Sequence, residues 1–183
     1  MRLAELADVD QVIALASRYH IDNLEPAQRA AGFISARYSR DWLERTITGG
    51  GLHVATADGD VVGFIAVTAP LPSDTPGLPP LLKATLGLAE TLEFNGGPIA
   101  AQRYALRGPV CIDERVQGHG VYTAFNSVTA LAYRDRFDIG VLFVSTENPR
   151  SFHTTTTKLG ATPLAVFEVE NKTYHFMAFP FRD

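Results

Sequence analysis

The sequence predicts a mixed fold of the α/β (α+β) class, in which about six to seven mostly antiparallel strands form a sheet flanked by helices. Short apolar stretches with strand character recur along the chain, and several are joined by tight-turn signals. After Ile112 such a stretch leads into a segment with the periodicity of a helix, and after Ser145 another leads into a helix-start signal. Because a helix crossover joins these two strands, they are expected to be parallel neighbours in the sheet.

Composition limits the class of protein. The 183 residues suit a single domain over residues 1–183, and a content of 46% hydrophobic and 20% charged residues is typical of a soluble globular chain. The formal charge of −4 argues against a nucleic-acid-binding surface. No apolar run reaches the length of a membrane span, and the first residues do not resemble a signal peptide, so a cytoplasmic location is expected. The one cysteine excludes an internal disulfide, and the five histidines lack metal-ligand spacing, so no metal is expected.

The N-terminal part is predicted to contain one short strand followed by helical segments. Residues 2–6 have the composition of a strand, and Asp8 followed by Gln11 matches a capping box at the start of the first helix. Pro26 and Ser39 are typical of the starts of two further segments. Apolar side chains at helical spacing indicate that the first helix packs one face against a core.

Two β-hairpins are also predicted. Asp58-Gly59 is among the strongest short hairpin signals, and the strands of the second hairpin are expected to be joined near Asn171-Lys172. The paired strands are expected over residues 52–57, 61–67, 163–169 and 173–179.

A glycine loop connects the predicted central strand to a helix. Residues 104–112 predict the strand, and Gln117-Gly118-His119-Gly120 precedes a helical pattern that begins at Val121. Such a loop presents backbone N–H groups at the positive end of a helix, where an anion, usually a phosphate, binds. A tight strand-to-helix turn without a ligand is the alternative. The predicted buried face of the helix comprises Val121, Ala124, Phe125, Val128, Leu131 and Ala132.

A second strand-to-helix unit follows downstream. Residues 139–145 predict a strand, Asn148 has the character of an N-cap, and Pro149 suits the first helical turn. The helix is expected to end near Lys158, with Gly160 as the residue after its C-cap. Each strand-to-helix segment therefore contributes one strand to the predicted sheet and one helix that flanks it.

On these two motifs the chain resembles the GNAT superfamily of acyl-CoA-dependent N-acetyltransferases. The pyrophosphate loop of that family, Gln/Arg-x-x-Gly-x-Gly/Ala, is similar to residues 117–122, although Tyr122 stands where the family prefers glycine or alanine. Residues 115–120 fit the same formula in a shifted register. The family's Asn-x-x-Ser/Ala helix start is similar to Asn148 and Ser151, and the distance from Asn148 to Gly160 is one residue longer than the commonest spacing. The resemblance covers nearly the whole chain.

This resemblance implies direct attack of a neutral amine on the thioester of acetyl-CoA in a ternary complex. The acceptor would be a primary amine of a small molecule or a peptide. The resemblance also implies that a strand holds the pantetheine amides and that the glycine loop holds the pyrophosphate. The implied cofactor-binding residues are Val110, Cys111, Ile112, Gln117, Gly118, His119, Gly120, Val121, Tyr122, Asn148 and Ser151.

The candidate catalytic residues are Glu147, Thr155 and His153. The strand glutamate that serves as a base in some family members is missing, so Glu147 is the remaining carboxylate that could act through water. Its alternative interpretation is a solvated charge at a helix N-terminus. Thr155 takes the position of the family's proton-donating tyrosine, and His153 lies two residues earlier, on another side of the helix. Cys111 is interpreted as a small core residue.

Residues 69–103 leave the regular pattern and resemble an insertion relative to the family. Five prolines between residues 70 and 80 predict a stiff connection, residues 81–93 predict a helix, and residues 95–98 predict a turn. A long connection of this kind is often functional, so a lid over the acceptor site is one interpretation. A surface decoration or a contact in a homodimer is at least as good an interpretation.

Three functions compete on this sequence. The first is an N-acetyltransferase, and the second is a catalytically silent module that binds or senses CoA or acyl-CoA, which the missing tyrosine and strand glutamate favour. A phosphate-loop kinase is rejected because no Gly-Lys-Ser/Thr follows the loop. The enzyme is preferred because GNAT proteins, which the chain resembles, tolerate varied acids and bases once the thioester is held.

Overall fold

The computed structural model of the chain describes residues 1–182, and its main feature is one mixed sheet. The strands are β1 (Arg2–Leu3), β2 (Leu52–Ala57), β3 (Asp60–Thr68), β4 (Glu93–Phe94), β5 (Gly97–Pro98), β6 (Tyr104–Ile112), β7 (Ile139–Ser145), β8 (Thr162–Val169) and β9 (Lys172–Pro180). The helices are α1 (Val9–Arg18), α2 (Pro26–Arg29), α3 (Arg40–Thr48), α4 (Pro80–Thr91), α5 (Val121–Tyr133) and α6 (Pro149–Lys158). None of these helices has the length and hydrophobicity needed to cross a membrane.

Seven strands form the main sheet, in the order β1-β2-β3-β6-β7-β9-β8, and β4 and β5 form a separate short hairpin. Strands β6 and β7 are parallel, with Tyr104 opposite Ile139 and Leu106 opposite Val141. The pairs β1–β2, β2–β3, β7–β9 and β8–β9 are antiparallel. The predicted fold class and the predicted parallel pair are therefore confirmed.

The chain divides into two compact units. The first unit contains residues 1–68 and 108–128, and the second contains residues 69–107 and the chain from residue 129 onward. Strand β6 and helix α5 each run from one unit into the other.

In the first unit, the β2–β3 hairpin carries α1 and α3 on a hydrophobic core. Asp58 and Gly59 have φ angles of 52° and 89°, so both turn residues adopt the left-handed conformation that a two-residue hairpin turn requires. The core contains Val12 and Leu15 of α1 and Leu43 of α3, packed with Leu52, Val54, Phe64 and Cys111. The predicted hairpin is confirmed, and β3 extends one residue further at each end than expected.

The predicted capping box at the first helix is wrong. The carboxylate of Asp8 makes no cap of α1 and instead accepts hydrogen bonds from both Arg2 Nη atoms, at 2.7 and 2.8 Å, and from the Glu5 N–H. The side-chain oxygen of Gln11 accepts a hydrogen bond from the Val61 N–H at 2.7 Å. Charge-assisted bonds from an arginine are stronger than a neutral cap, which explains why Asp8 turns away from the helix. The first strand is also shorter than predicted and ends at Leu3.

In the second unit, the insertion packs into the core. Ala89 of α4 and Ile99 after β5 are fully buried and contact side chains of β7 and β9. These partners include Ile139, Val141, Phe176 and Ala178. Helix α4 is therefore part of a hydrophobic core, which neither the interpretation as a lid nor that as a surface decoration predicts. The helix also ends earlier than expected, at Thr91, since Glu93 begins β4.

The buried face of α5 is only partly as predicted. Phe125, Thr129 and Tyr133, each four residues apart, are 0%, 2% and 2% exposed, whereas Leu131 is 67% exposed. Leu131 lies about 200° around the helix from Thr129, because successive residues turn by one part in 3.6. The sequence pattern correctly predicted that Phe125 is buried. It also predicted burial of Leu131, whereas the structure buries Thr129 and Tyr133.

Candidate functional site

The loop between β6 and α5 relies on two glycines in the left-handed conformation. After β6 ends at Ile112, one turn of 3-10 helix spans Glu114–Val116 and α5 begins at Val121. Gly118 and Gly120 have φ angles of +80° and +79°, and nothing lies within 4 Å of the position that a Cβ atom would take. A side chain at either position would be strained and would also fill open space beside the backbone. The loop therefore leaves room for a ligand to approach the main chain.

The start of α5 can bind an anion. Its first backbone hydrogen bond is donated by the Ala124 N–H to the Gly120 carbonyl, at 2.9 Å. The N–H groups of Gly120, Val121 and Thr123 precede this bond, so they have no acceptor within the helix. N–H groups at the positive end of a helix favour negative charge, and phosphate is the anion that such glycine loops commonly bind.

Hydrogen bonds tie the loop to the strand that precedes it. The side-chain amide of Gln117 donates to the Ile112 carbonyl at 3.3 Å, and the His119 N–H donates to the Val116 carbonyl at 3.4 Å. The imidazole Nδ1 of His119 lies 3.0 Å from the Gln117 carbonyl, and the side chain is exposed. The sequence-predicted loop residues therefore form one connected segment with the end of β6.

The end of β6 presents two different faces. Val110 and Ile112 pack against the cluster that contains Phe125 of α5, while Cys111 joins the core under α1 and α3. Burial, together with the charge of Asp113, raises the pKa of the Cys111 thiol to about 12. The thiol therefore stays protonated at neutral pH, which supports its interpretation as a core residue.

The structure also shows a buried carboxylate that the sequence analysis did not single out. Asp113, the first residue after β6, has a side chain that is 1% exposed and is paired with Arg18 at 2.9 Å and Arg115 at 3.1 Å. The Tyr19 hydroxyl lies 3.5 Å from the same carboxylate and accepts a hydrogen bond from the Glu114 N–H at 2.8 Å. The sequence shows an acidic residue directly before Glu114-Arg115, which could have indicated a local ion pair with Arg115. It could not have indicated the pairing with Arg18 and Tyr19, which are far away in the chain.

In the second unit, the start of α6 is as predicted. The side-chain oxygen of Asn148 accepts a hydrogen bond from the Ser151 N–H at 3.0 Å, and Asn148 is only 4% exposed. Pro149 occupies the first helical position, and Gly160, with a φ angle of +73°, follows the C-cap. Both motif residues, Asn148 and Ser151, therefore belong to one helix N-terminus.

The three candidate catalytic residues lie in the second unit, in different environments. Glu147 is exposed, and its N–H donates to the Ser145 hydroxyl at 3.2 Å. Thr155 is 2% exposed and its carbonyl accepts from the Ala161 N–H, whereas His153 is exposed. The prediction that Thr155 and His153 face different sides of the helix is confirmed. Across residues 1–182, no cluster of three or more His, Cys, Asp or Glu side chains could hold a metal ion.

Comparison with known proteins gives similarity in structure alone. No family model and no curated protein matches the sequence. The chain is similar to a GNAT-family acetyltransferase from Streptococcus agalactiae, with a TM-score of 0.66 and 15% identity over 98% of this chain and 93% of that chain. It is also similar to yncA from Salmonella typhimurium with its cofactor acetyl-CoA (TM-score 0.62, 16% identity, 100% and 93% coverage). A third similar structure is the GphF GNAT-like decarboxylase in complex with isobutyryl-CoA (TM-score 0.60, 19% identity, 98% and 97% coverage).

The order of strands, the parallel pair and the glycine loop before α5 together define a class of fold. The chain has the GNAT fold, as its two motifs predicted.

Proposed function

We propose that the protein is an N-acetyltransferase that transfers the acetyl group of acetyl-CoA to a primary amine of a small molecule or a peptide. The observation that carries this proposal is the glycine loop from Gln117 to Tyr122, which leads into the N-terminus of α5 with both glycines open to a ligand. Similarity to structures that contain acetyl-CoA or isobutyryl-CoA supports an acyl-CoA as the ligand of this loop.

The residues of the first unit fit an acyl-CoA. A pyrophosphate needs backbone N–H donors, and we assign this role to the N–H groups at the start of α5, beside which Gly118 and Gly120 present no Cβ atom. Pantetheine carries two amides that can extend a sheet by hydrogen bonds to a strand, and we assign Val110, Cys111 and Ile112 to this role. In the second unit, Asn148 and Ser151 of α6 are the residues that the family motif assigns to cofactor binding, and we propose that role for them.

We use the register in which Gln117 opens the loop motif. In the shifted register, Arg115 would take this place, but its guanidinium is paired with the buried carboxylate of Asp113 at 3.1 Å. Gln117, by contrast, lies directly before Gly118, and its side-chain amide donates to the Ile112 carbonyl rather than to a charged group.

The proposed mechanism is direct attack of the neutral amine on the thioester carbonyl. Acetyl-CoA supplies an activated acyl group, so the main contribution of the protein is to hold two reactants in the correct orientation. Glu147 is exposed and can take a proton from the amine through water. Thr155 can donate a hydrogen bond to the sulfur of the departing CoA thiolate but is a poor acid. His153, on the same helix, is the alternative donor of a proton to that thiolate.

A catalytically silent module that binds or senses CoA or acyl-CoA is the second candidate. Thr155 in place of a tyrosine favours it, as does the lack of any carboxylate within β6, residues Tyr104–Ile112. This module and the enzyme bind the same ligand, so only turnover distinguishes them.

The test combines binding with turnover. Calorimetry with CoA and acetyl-CoA measures binding, and a thiol-release assay with acetyl-CoA is run against primary amines, polyamines, aminoglycoside antibiotics, amino acids and short peptides. The proposal predicts binding and amine-dependent release of CoA. Because one similar structure is a decarboxylase, the panel also includes malonyl-CoA with detection of released CO2. Binding without any turnover would favour the silent module, and absence of CoA binding would reject both candidates.

A further inference from the structure

We propose that Asp113 is a positioning residue that fixes the glycine loop by anchoring its approach to helix α1. The inference rests on the function proposed above, because it gives Asp113 a role in acyl-CoA affinity. Asp113 directly follows β6, and only the turn Glu114–Val116 separates it from Gln117. A change in the position of Asp113 is therefore transmitted to the loop through one short turn.

The carboxylate of Asp113 is surrounded by donors from two segments. Arg18 of α1 donates from Nη1 at 2.9 Å, and Arg115 donates both from Nη2 at 3.1 Å and from its backbone N–H at 3.0 Å. The bond to the Arg115 N–H caps the 3-10 turn, so the same carboxylate fixes the turn and pairs it with α1.

Backbone contacts hold the same approach at neighbouring residues. The Asp113 N–H donates to the Val62 carbonyl of β3 at 2.9 Å, and the Glu114 N–H donates to the Tyr19 hydroxyl at 2.8 Å. The segment is thus attached to β3 by its main chain and to α1 through Arg18 and Tyr19. These contacts fix the direction from which the chain enters the loop at Gln117.

The charge of Asp113 is important because a buried polar group costs free energy unless it is paired. Burial alone would raise the pKa of Asp113, but the hydrogen bonds from Arg115 and the charges of Arg115 and Arg18 outweigh it and lower the pKa. The carboxylate is therefore ionised at neutral pH and holds both guanidinium groups, whose side chains remain 57% and 56% exposed.

Anion binding by the loop from Gln117 to Tyr122 depends on a fixed loop conformation. Between Gln117 and Tyr122 the sequence contains no lysine or arginine, so an anion there depends on the directions of backbone N–H groups. Affinity from such groups depends on preorganisation, because any loosening of the loop has to be reversed when the ligand binds.

The test compares Asp113→Asn and Tyr19→Phe with Asp60→Asn as a matched control. Asp113→Asn keeps an oxygen for the Arg115 N–H but removes the charge. Tyr19→Phe removes the acceptor for the Glu114 N–H and the long hydrogen bond to the Asp113 carboxylate. Asp60 is a 65% exposed partner of the same Arg115, at 3.8 Å, so Asp60→Asn removes a charge without touching the buried cluster.

Calorimetry is expected to show that CoA binds about tenfold more weakly to Asp113→Asn, since hydrogen bonds to charged groups contribute on this scale. The KM for acetyl-CoA rises in parallel, while kcat at saturating acetyl-CoA stays unchanged. Asp60→Asn is expected to change the affinity by less than about twofold, as is usual for exposed pairs. A fall in kcat at unchanged KM would overturn the positioning role.

Hydrogen exchange without any ligand separates this inference from the proposed function. In Asp113→Asn and Tyr19→Phe, the amides of Val116, Gln117 and His119, which donate hydrogen bonds to backbone carbonyls within this segment, are expected to exchange faster. The amides of β2 and β3 are expected to be unchanged. If the wild type binds no CoA, the proposed function fails, and the exchange rates still decide whether Asp113 orders the loop. If the wild type binds CoA and both variants match it in affinity and exchange, the inference about Asp113 is wrong.

Arg18→Gln is a further variant, which is expected to fold. Arg18 is 56% exposed, so Arg18→Gln removes one partner of Asp113 without opening the core. If Asp113→Asn does not fold, weaker CoA binding and faster loop exchange in Arg18→Gln and Tyr19→Phe support the inference. Wild-type behaviour of these two variants would reject it.

Discussion

The ring of Phe125 on α5 lies directly against Gly63 on β3. A Cβ atom at Gly63 would be 3.2 Å from Cε2 of Phe125 and 3.2 Å from the Cys111 carbonyl oxygen. Phe125 is fully buried and follows Gly120 by little more than one helical turn. The close approach that glycine allows at residue 63 therefore places the N-terminus of α5, and with it the candidate anion site.

Gly63→Val is expected to destabilise the first unit. The added side chain overpacks the space between β3 and Phe125, which typically costs about 1–3 kcal/mol. Chemical denaturation of both proteins measures the loss. The matched control is Gly87→Ala in the middle of α4, where nothing lies within 4 Å of the new Cβ atom. This control is expected to raise stability by roughly 0.4–1 kcal/mol, because alanine restricts the unfolded chain. Equal stability of Gly63→Val and wild type would contradict the close contact.

Gly120→Val is expected to weaken CoA binding by about tenfold, or roughly 1.4 kcal/mol. A branched side chain disfavours the φ of +79° and occupies the open side of the backbone. Calorimetry on the folded variant checks this expectation. Gly96→Val is the control, since Gly96 has a φ of +81° and open space around it, but lies in the turn between β4 and β5. If both variants bind CoA as the wild type does, the loop is not the CoA site.

Leu86→Ala in α4 is expected to destabilise the second unit by about 2–5 kcal/mol, the usual cost of truncating a buried leucine. Leu86 is 1% exposed, whereas Leu71, in the same insertion, is 51% exposed and serves as the control. Leu71→Ala is expected to change stability by less than about 0.5 kcal/mol. Thermal and chemical unfolding measure both. A stable Leu86→Ala with altered kinetics for the amine would instead support the interpretation of the insertion as a lid.

Stability is expected to depend on pH through Asp8. The hydrogen bond from Arg2 is the main cause that lowers the pKa of Asp8 below its ordinary value of 3.8, against the opposing effect of burial. The stabilisation is therefore fully present above that ordinary value and is lost as the pH falls through the lowered pKa of the folded state. Asp8→Asn should be less stable than the wild type near neutral pH, and the difference should shrink in acid. A difference that is the same at every pH would show that the charge of Asp8 is not the stabilising feature.

Thr155→Ala is expected to lower kcat by less than about tenfold, because a thiolate leaving group with a pKa of about 8.5 can be protonated by water. A well-placed general acid would instead be worth roughly 10²–10⁴-fold. His153→Ala is the paired variant, since His153 is exposed and Thr155 is buried on the same helix. A large loss in His153→Ala alone would identify His153 as the acid and would indicate that the long spacing from Asn148 to Gly160 changes which side of α6 faces the cofactor.

The sequence by itself determined the features that depend on a few neighbouring residues. The hairpin turn at Asp58-Gly59, the cap by Asn148, the end of α6 before Gly160 and the glycine loop were all predicted. Each depends on a local backbone preference or a local hydrogen bond, which the residues carry with them. The change of period after Ile112 likewise identified β6 and α5.

Only the tertiary structure decided which distant groups meet. Asp8 was predicted to cap α1, but Arg2 offers its carboxylate two charge-assisted bonds, and Gln11 binds Val61 across 50 residues. Asp113 is paired with Arg18, which lies 95 residues away in the chain. No periodicity or short motif encodes such pairs, because their energy depends on burial and on the packing of α1 against the sheet.

For the insertion at residues 69–103, the sequence likewise predicted the local structure but not the tertiary packing. Its helix, its prolines and its turn were visible as local patterns, but its place in a hydrophobic core was not. An amphipathic helix shows which of its faces is apolar, but not which partner covers that face. The contacts of Ala89 and Ile99 with β7 and β9 exist only because the folded chain brings these surfaces together, and burial of apolar area is what holds them there.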